Sequence, residues 1–237
     1  MDERMIVALD VPTLAQAQAL TAALGDTVGF YKVGMELYYR EGAAALAMLT
    51  AQNKRIFLDL KMYDIPNTVA HAVRVLAGRG VEFLTVHAQG GRRMMAAARQ
   101  AAEEAVAADG SVRPKLLAVT CLTSFDGPTW DEVSGPVPLA ERAIRLARVA
   151  QEAGADGVIA SPAEAAQIRE VTGRDFLIVT PGIRPAGVGR DDQERIASPQ
   201  AALVAGATHL VIGRPITQAD DPQAAARAIE REMEAVK

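Results

Sequence analysis

Short apolar runs alternate eight times along the chain with longer, alanine-rich amphipathic stretches. The apolar runs are continuous rather than mixed with polar residues, which is typical of strands covered on both faces. They are Met5–Leu9, Val28–Val33, Arg55–Leu60, Phe83–Val86, Lys115–Val119, Gly157–Ala160, Phe176–Val179 and His209–Ile212. Strict alternation of strands and helices implies parallel strands joined by crossover helices. Eight such units in 237 residues predict a (β/α)8 TIM barrel, with residues 1–237 forming a single domain.

The intervening stretches predict the eight helices of this barrel. They are Leu14–Leu24, Gly42–Gln52, Val69–Ala77, Arg92–Ala107, Leu139–Ala153, Ala163–Val171, Pro199–Ala205 and Pro222–Glu234. The first strand is followed by Asp10-Val11-Pro12 and not by Gly-x-Gly-x-x-Gly, which argues against a dinucleotide-binding sheet. Two connections, 121–138 and 181–192, are longer than a helix linker requires. Both follow a strand, on the side where barrel enzymes build their active sites.

Composition excludes several classes of protein. The formal net charge is −4 without a block of like charge, so we expect no nucleic-acid partner. Cys121 is the only cysteine, which rules out an intramolecular disulfide and fits a reducing compartment. The first apolar run is too short for a signal-peptide core, and no run approaches the ~18 apolar residues of a membrane span. We therefore expect a cytoplasmic protein that does not bind membranes.

Polar side chains recur where the predicted strands end. They are Asp10, Lys32, Asp59, Lys61, Asp64, His87, Gln89, Thr120, Thr123, Ser161, Arg184 and Arg214. A charged residue inside an apolar strand, such as Lys32 or Asp59, is unfavourable unless it is paired. A single such residue would more often belong to a structural ion pair. Two lysines and three aspartates on the catalytic edge of a barrel favour an active site.

The spacing Asp59-x-Lys61-x-x-Asp64 predicts a local geometry. Residues i and i+2 of a strand face the same way, so we expect the side chains of Asp59 and Lys61 to share one face. Asp64 lies beyond the strand and need not point into its own barrel. An ammonium group held between carboxylates can stabilise a developing carbanion and then donate its proton.

Glycine–arginine pairs follow the last two strands, as Gly182-Ile183-Arg184 and Gly213-Arg214. Barrels commonly bind phosphate with the loops after strands seven and eight, where exposed backbone N–H groups and arginine can hold the anion. The alternative is a pair of glycine-rich turns with surface arginines. The three histidines, His71, His87 and His209, lack the spacing of metal ligands, so we expect no metal site. We expect Cys121 to be buried filler.

Several segments resemble those of the orotidine 5′-monophosphate decarboxylases. They are IVALDVP (6–12), YKVG (31–34), FLDLKMYDIPNTV (57–69), VTCLTS (119–124), TPGIRP (180–185) and IGRPIT (212–217). The match runs in order from residue 6 to about residue 223, and DLKMYDIPNT is its most specific piece. The resemblance implies a homodimeric barrel that converts orotidine 5′-monophosphate to UMP and CO₂ without a cofactor, as a step of pyrimidine biosynthesis.

The resemblance also implies roles for individual residues. Lys61 would be the proton donor, in an array with Lys32, Asp59 and the Asp64 of a partner subunit. Asp10 and Lys32 would bind the ribose, and Thr68 would reach the ribose across the subunit interface. Thr123 and Pro181 would lie at the base. The phosphate would be held by Arg184, Gln193, Gly213 and Arg214, with 184–193 acting as a closing lid.

Two other functions remain open from the sequence. Related sugar-phosphate barrels, such as 3-keto-gulonate-6-phosphate decarboxylase and hexulose-phosphate synthase, resemble the chain around D-x-K-x-x-D but use Mg²⁺. The IPNT continuation and the 181–184 loop favour the nucleotide enzyme. A non-catalytic barrel that binds UMP would keep Arg184, Gln193 and Arg214 but would have no need for the lysine–aspartate array.

Overall fold

The computed structural model describes residues 1–110, 112–134, 137–185 and 195–236. Eight strands form a closed barrel in the order β1 to β8, and every neighbouring pair is parallel, including β8 with β1. The strands are β1 Met5–Ala8, β2 Phe30–Val33, β3 Arg55–Met62, β4 Phe83–His87, β5 Lys115–Val119, β6 Gly157–Ile159, β7 Leu177–Thr180 and β8 His209–Ile212. The TIM barrel predicted from the alternating pattern is confirmed.

Helices surround the barrel, and the larger ones coincide with the predicted amphipathic stretches. They are α1 Leu14–Leu24, α2 Met35–Glu41, α3 Ala43–Ala51, α4 Pro66–Ala77, α5 Gly91–Asp109, α6 Gly127–Ser134, α7 Leu139–Glu152, α8 Pro162–Thr172, α9 Pro199–Val204, α10 Arg214–Thr217 and α11 Pro222–Glu234. The described residues also include 3₁₀ turns at Gly25–Thr27 and Ala88–Gly90. No helix in the described ranges is long and apolar enough to cross a membrane.

The predicted boundaries were wrong at several places near the strand ends. Helices α2, α6 and α10, of seven, eight and four residues, were not predicted from the sequence. Helix α6 lies inside the connection after β5, where Trp130 is buried and its indole N–H donates to the Val137 carbonyl at 2.8 Å. Strand β2 begins at Phe30 instead of Val28, and β3 continues to Met62 instead of ending at Leu60.

The barrel interior is filled by one cluster of strand residues. Its buried members are Ile6, Ala8, Phe30, Phe57, Phe83, Leu117, Val179 and Val211. The ring of Phe30 meets that of Phe83 edge to face at 5.0 Å between centroids. Because side chains alternate along a strand, the residues two positions further on face the same interior. Lys32, Asp59 and Thr85 therefore lie above this aromatic layer, towards the C-terminal end of the barrel.

Charged groups close the opposite, N-terminal end. Arg55 pairs with both carboxylate oxygens of Glu82 at 2.7 Å, and its guanidinium lies 4.2 Å from the centroid of the Phe30 ring. Burial, together with Arg55 and Lys115, lowers the pKa of His209 to about 4. His209 also packs edge to face on Phe83. The N-terminal end of the barrel is thus covered by charged and aromatic side chains.

Candidate active site

Four charged side chains from three neighbouring strands meet at the C-terminal edge of the barrel. The Lys61 ammonium donates to Oδ2 of Asp59 at 2.7 Å, and the Lys32 ammonium lies 3.8 Å from the same oxygen. Lys32 in turn donates to Oδ1 of Asp10 at 2.8 Å. Positive and negative groups thus alternate in the order Asp10, Lys32, Asp59, Lys61.

Burial differs along this array. The side chains of Asp59 and Lys32 are 10% and 11% exposed, whereas that of Asp10 is 60% exposed. A buried carboxylate is tolerated where opposite charges and hydrogen bonds compensate its lost hydration. Asp59 has both, because two ammonium groups flank it and the Thr85 hydroxyl donates to its Oδ1 at 2.9 Å. The array can therefore hold the lysine cations in place while it opens to solvent at the Asp10 end.

The backbone of Lys61 departs from strand geometry. Its φ is 49°, and the pairing of β3 with β4 shifts register between Leu58 and Met62. A left-handed conformation costs a residue with a side chain about 1–2 kcal/mol, and such strain is concentrated at functional sites. We expected Asp59 and Lys61 to meet because they share one face of a regular strand. They do meet, but across a bulge.

Two residues of this site were missed by the sequence analysis. The Thr85 hydroxyl accepts from the Lys61 backbone N–H at 2.8 Å, in addition to its bond to Asp59. Gly34 lies beneath the Lys32–Asp10 pair, where an added Cβ would be 2.9 Å from Asp10 Oδ1 and 3.1 Å from Lys32 Nζ. A lone polar residue in an apolar strand was the available signal for Thr85. A glycine two positions after a buried lysine was the signal for Gly34.

Asp64 and Thr68 lie apart from this array. Both are exposed, and Asp64 Oδ1 accepts from the adjacent Ile65 N–H at 2.6 Å. Among the described residues, no ion pair joins Asp64 to the Lys61 ammonium of the same chain. This placement agrees with the expectation that Asp64 need not point into its own barrel.

A groove of about 640 Å³ lies beside Lys61 on this face. It is lined by Tyr38, Tyr39, Leu60, Lys61, Met62, Tyr63, His71, Ala72, Val75 and Leu76. Tyr39, Tyr63, Ile65 and Val75 are large apolar residues that are each at least 60% exposed in this region. Clusters of exposed apolar side chains are common at the contact sites of proteins.

The remaining predicted residues follow β5, β7 and β8. Thr123 is half-buried after β5, and Pro181 is half-buried directly after β7. Arg184 is buried; its guanidinium donates to the Ile183 carbonyl at 3.0 Å and its backbone N–H to the Ala197 carbonyl at 2.9 Å. Because β7 pairs with β8 and β8 with β1, the ends of β7 and β8 lie on the Asp10 side of the array.

Gly213 and Arg214 are half-buried where α10 begins. A Cβ added to Gly213 would lie 3.6 Å from Ala8, two residues before Asp10. Gln193, and with it most of the predicted 184–193 segment, lies outside the described residues.

A buried ion pair connects the loops on this side of the barrel. Arg195 pairs with Glu164 of α8 and also donates to the Leu122 carbonyl at 2.9 Å, next to Thr123. The pKa of Glu164 is raised because burial disfavours its charged form more than Arg195 favours it. This pair was not predicted, although Glu164 stands among alanines near the start of α8 in the sequence.

His87 and Cys121 each have a local structural explanation. Burial and the nearby Lys61 charge lower the pKa of His87, which stacks on Tyr63 with 5.4 Å between ring centroids. Burial raises the pKa of Cys121 to about 12, in agreement with its expected role as buried filler. Among the described residues, the structure contains no group of three or more His, Cys, Asp or Glu side chains that could hold a metal ion.

Comparison with known proteins decides the family. Residues 3–229 match the model of the Orotidine 5′-phosphate decarboxylase / HUMPS family. The chain belongs to this family. The orotidine 5′-phosphate decarboxylase of Moorella thermoacetica is 50% identical over 236 residues, which are 99% of this chain and 94% of that protein. That of Halorhodospira halophila is 51% identical over 232 residues, 98% of this chain and 96% of that protein.

The solved structures agree with the sequence relatives. The crystal structure of orotidine 5′-phosphate decarboxylase from Lactobacillus acidophilus superposes with a TM-score of 0.86 at 45% identity, covering 98% of this chain and 99% of that one. Membership of the orotidine 5′-phosphate decarboxylase family confirms the resemblance found in the sequence segments. It places the chain among the carboxy-lyases.

Proposed function

We propose that the protein decarboxylates orotidine 5′-monophosphate to UMP and CO₂ in pyrimidine biosynthesis, without a metal or organic cofactor. The observation that carries this proposal is the Asp59 carboxylate flanked by the Lys61 and Lys32 ammonium groups at 2.7 and 3.8 Å. It lies at the catalytic end of a barrel whose relatives are named orotidine 5′-phosphate decarboxylases.

The chemistry requires a cation at the reacting carbon. The bond between C6 of the pyrimidine and its carboxylate breaks, CO₂ leaves, and the electron pair stays on C6. The Lys61 ammonium stabilises this charge as it forms and then donates its proton to C6. Lys61 regains a proton from solvent. Asp59 keeps the ammonium in position, because the carboxylate is itself buried and held by Thr85.

The other predicted residues are proposed to bind the rest of the nucleotide. Asp10 and Lys32 would contact the ribose hydroxyls, and Thr123 and Pro181 would contact the base. Arg184, Gln193, Gly213 and Arg214 would bind the phosphate, since the loops after β7 and β8 are neighbours. Phosphate binding far from the broken bond can still accelerate the reaction, because remote binding energy positions the reacting groups.

We also propose that a second copy of the chain completes the site, with its Asp64 and Thr68 reaching the first copy's array and ribose. Three features of this face support a homodimer. Asp64 and Thr68 are exposed. The groove beside them is lined by exposed apolar side chains such as Tyr39 and Val75. Lys61 lines both the groove and the array, so a partner seated there would reach the proposed proton donor.

Mixing two inactive variants tests this arrangement. If Asp64 acts across the interface, a Lys61→Ala subunit paired with an Asp64→Asn subunit has one doubly altered site and one intact site. Random reassortment of equal amounts should then restore about one quarter of wild-type activity. If Asp64 acts within its own chain, every site keeps a lesion and the mixture stays inactive. A protein that is monomeric by light scattering would also overturn the shared site.

A spectrophotometric assay with orotidine 5′-monophosphate in EDTA tests the function. We expect the absorbance of the orotate ring to fall when the wild type is added. Folded Lys61→Ala should lose nearly all turnover. Lys115→Ala is the matched control, because it removes an ammonium group from the opposite end of the barrel. Activity that required Mg²⁺ and a keto-sugar phosphate would favour the sugar-phosphate enzymes. Binding of UMP by a folded protein without turnover would favour a non-catalytic barrel.

Arg214→Ala tests the phosphate role separately. Loss of one charge-assisted hydrogen bond should lower kcat/KM roughly 10- to 100-fold. An unchanged kcat/KM would exclude Arg214 from phosphate binding.

We further propose that residues 1–237 act as one domain, and that the enzyme works in the cytoplasm, where its single buried cysteine stays reduced.

A further inference from the structure

The hydroxyl group of Thr85 contacts two parts of the active site at once. It donates to Oδ1 of Asp59 at 2.9 Å and accepts from the backbone N–H of Lys61 at 2.8 Å. Thr85 has no exposed surface, and its strand β4 lies next to β3 in the barrel. A single buried hydroxyl thus joins the carboxylate to the main chain of the lysine that the carboxylate binds.

The bulge in β3 explains why a side chain is needed there. Between Leu58 and Met62 the register of β3 against β4 shifts, and Lys61 has a left-handed φ of 49°. The Lys61 N–H donates to the Thr85 hydroxyl in place of a carbonyl of the neighbouring strand. A buried N–H without an acceptor would be unfavourable, so this bond stabilises the irregular backbone.

The same hydroxyl also fixes the orientation of the Asp59 carboxylate. With Oδ1 held by Thr85, Oδ2 faces the ammonium groups of Lys61 at 2.7 Å and Lys32 at 3.8 Å. Rotation of the carboxylate would break the bond to Thr85 and move Oδ2 away from both cations. The orientation of the charge array thus depends on a residue that carries no charge.

We infer that Thr85 is a positioning residue for the decarboxylation. Its one hydroxyl group holds Lys61 and Asp59 in position relative to each other. This inference rests on the proposed function. The hydrogen bonds of Thr85 go to Oδ1 of Asp59 and to the main chain of Lys61, so it would act through these two residues. Its removal should therefore affect the chemical step more than the binding of nucleotide, whose proposed contacts come mainly from other residues.

The test separates the hydroxyl from the methyl group of Thr85. Thr85→Val keeps the branched shape and removes the hydroxyl, whereas Thr85→Ser keeps the hydroxyl and removes the methyl group. Thr180→Val is a matched control at the end of β7, since the buried Thr180 hydroxyl has no hydrogen-bond partner within the described structure. For each variant, kcat and KM for orotidine 5′-monophosphate, the Kd for UMP and the unfolding temperature are measured.

We expect kcat of Thr85→Val to fall roughly 10- to 100-fold, the effect of losing a hydrogen bond to a charged group. KM and the Kd for UMP should stay within about threefold of wild type, because the nucleotide contacts remain. Thr85→Ser should recover most of the rate, and Thr180→Val should match wild type. If Thr85→Val does not fold, Thr85→Ala compared with Thr85→Ser isolates the same hydroxyl.

Three results would overturn the inference. They are an unchanged kcat in Thr85→Val, an equal loss in Thr85→Ser, and an equal loss in Thr180→Val. The second would mean that packing of the methyl group matters, and the third that removing any buried strand threonine hydroxyl lowers the rate. These results all require an active wild type. A wild type without turnover would instead refute the proposed function.

Discussion

The ammonium group of Lys61 lies 2.7 Å from Oδ2 of Asp59, although strand β3 is irregular between Leu58 and Met62, where its register against β4 shifts. In a regular strand, the side chains of residues two apart leave the backbone on the same face and run parallel to each other. At Lys61 the left-handed φ of 49° accompanies the bulge instead. The contact between the proposed proton donor and its counter-charge is thus accompanied by backbone strain, which glycine would relieve.

Lys61→Gly should have a higher free energy of unfolding than Lys61→Ala. Both variants lack the ammonium group, but alanine keeps a Cβ in a left-handed conformation that costs about 1–2 kcal/mol. Glycine avoids this cost and loses only roughly 0.5–1 kcal/mol through its greater freedom in the unfolded chain. We therefore expect a difference of about 0.5–1 kcal/mol in the free energy of unfolding, measured by chemical denaturation.

The same pair of substitutions at Lys115 is the control. Lys115 is exposed and begins strand β5, and no left-handed φ is found there. Alanine should be the more stable replacement at this position. Greater stability of alanine at both positions would mean that the Lys61 backbone is not strained.

Gly34→Ala should weaken nucleotide binding while leaving the fold intact. The new Cβ would approach Asp10 Oδ1 to 2.9 Å and Lys32 Nζ to 3.1 Å. These atoms end flexible side chains, so the barrel can accommodate the methyl group, but the Lys32–Asp10 pair must move. We expect the Kd for UMP, measured by calorimetry, to rise roughly tenfold, equivalent to about 1.4 kcal/mol.

Gly127→Ala serves as the comparison for this variant, because an added Cβ at Gly127 meets nothing within 4 Å. It should bind UMP like the wild type. An unchanged Kd in Gly34→Ala would show that the position of the Lys32–Asp10 pair does not matter for binding.

The contribution of Glu164 to the free energy of unfolding should depend on pH. Burial raises the pKa of Glu164 above its ordinary value of 4.5, and Arg195 only partly opposes the shift. The folded protein therefore holds this proton to higher pH than the unfolded chain does. The resulting stabilisation is fully present below the unfolded pKa and is lost as pH rises through the folded pKa.

Urea unfolding of the wild type and of Glu164→Gln, at a series of pH values from about 4 upwards, measures this contribution to stability. The free energy of unfolding of wild type minus that of Glu164→Gln should fall as pH rises from about 4 to above the folded pKa. Other groups titrate alike in both proteins and cancel in the difference. A constant difference would contradict the raised pKa, and a rising difference would reverse its sign.

Arg195→Ala should be more destabilising than Glu164→Gln. The side chains of Arg195 and Glu164 are 15% and 4% exposed, so removing the arginine leaves a buried carboxylate without its cation. Breaking a buried pair in this way costs about 3–5 kcal/mol. Arg92→Ala breaks an exposed pair with Glu152 and should cost under about 1 kcal/mol by the same denaturation measurement. Equal costs would mean that the Arg195–Glu164 pair is effectively solvated.

Local pattern was sufficient to predict the barrel. Continuous apolar runs such as Lys115–Val119 match their strands, because burial on both faces of a parallel sheet leaves a signal in every strand. Helices α2, α6 and α10 were missed, because a helix of one or two turns shows at most a weak period and can escape prediction. The polar residues at the strand ends could be predicted because all parallel strands end on the same side of a barrel.

The sequence by itself determined the fold, the edge that carries the candidate site, and the residue types of the array in Asp59-x-Lys61. The tertiary structure alone decided that one Asp59 oxygen faces two lysines, that Thr85 joins Asp59 to Lys61, and that Gly34 lies under the Lys32–Asp10 pair. The pattern of buried residues recurs along the chain, so it can be recognised in the sequence. Contacts between neighbouring strands depend on register and on a bulge, which are set by packing between segments distant in sequence.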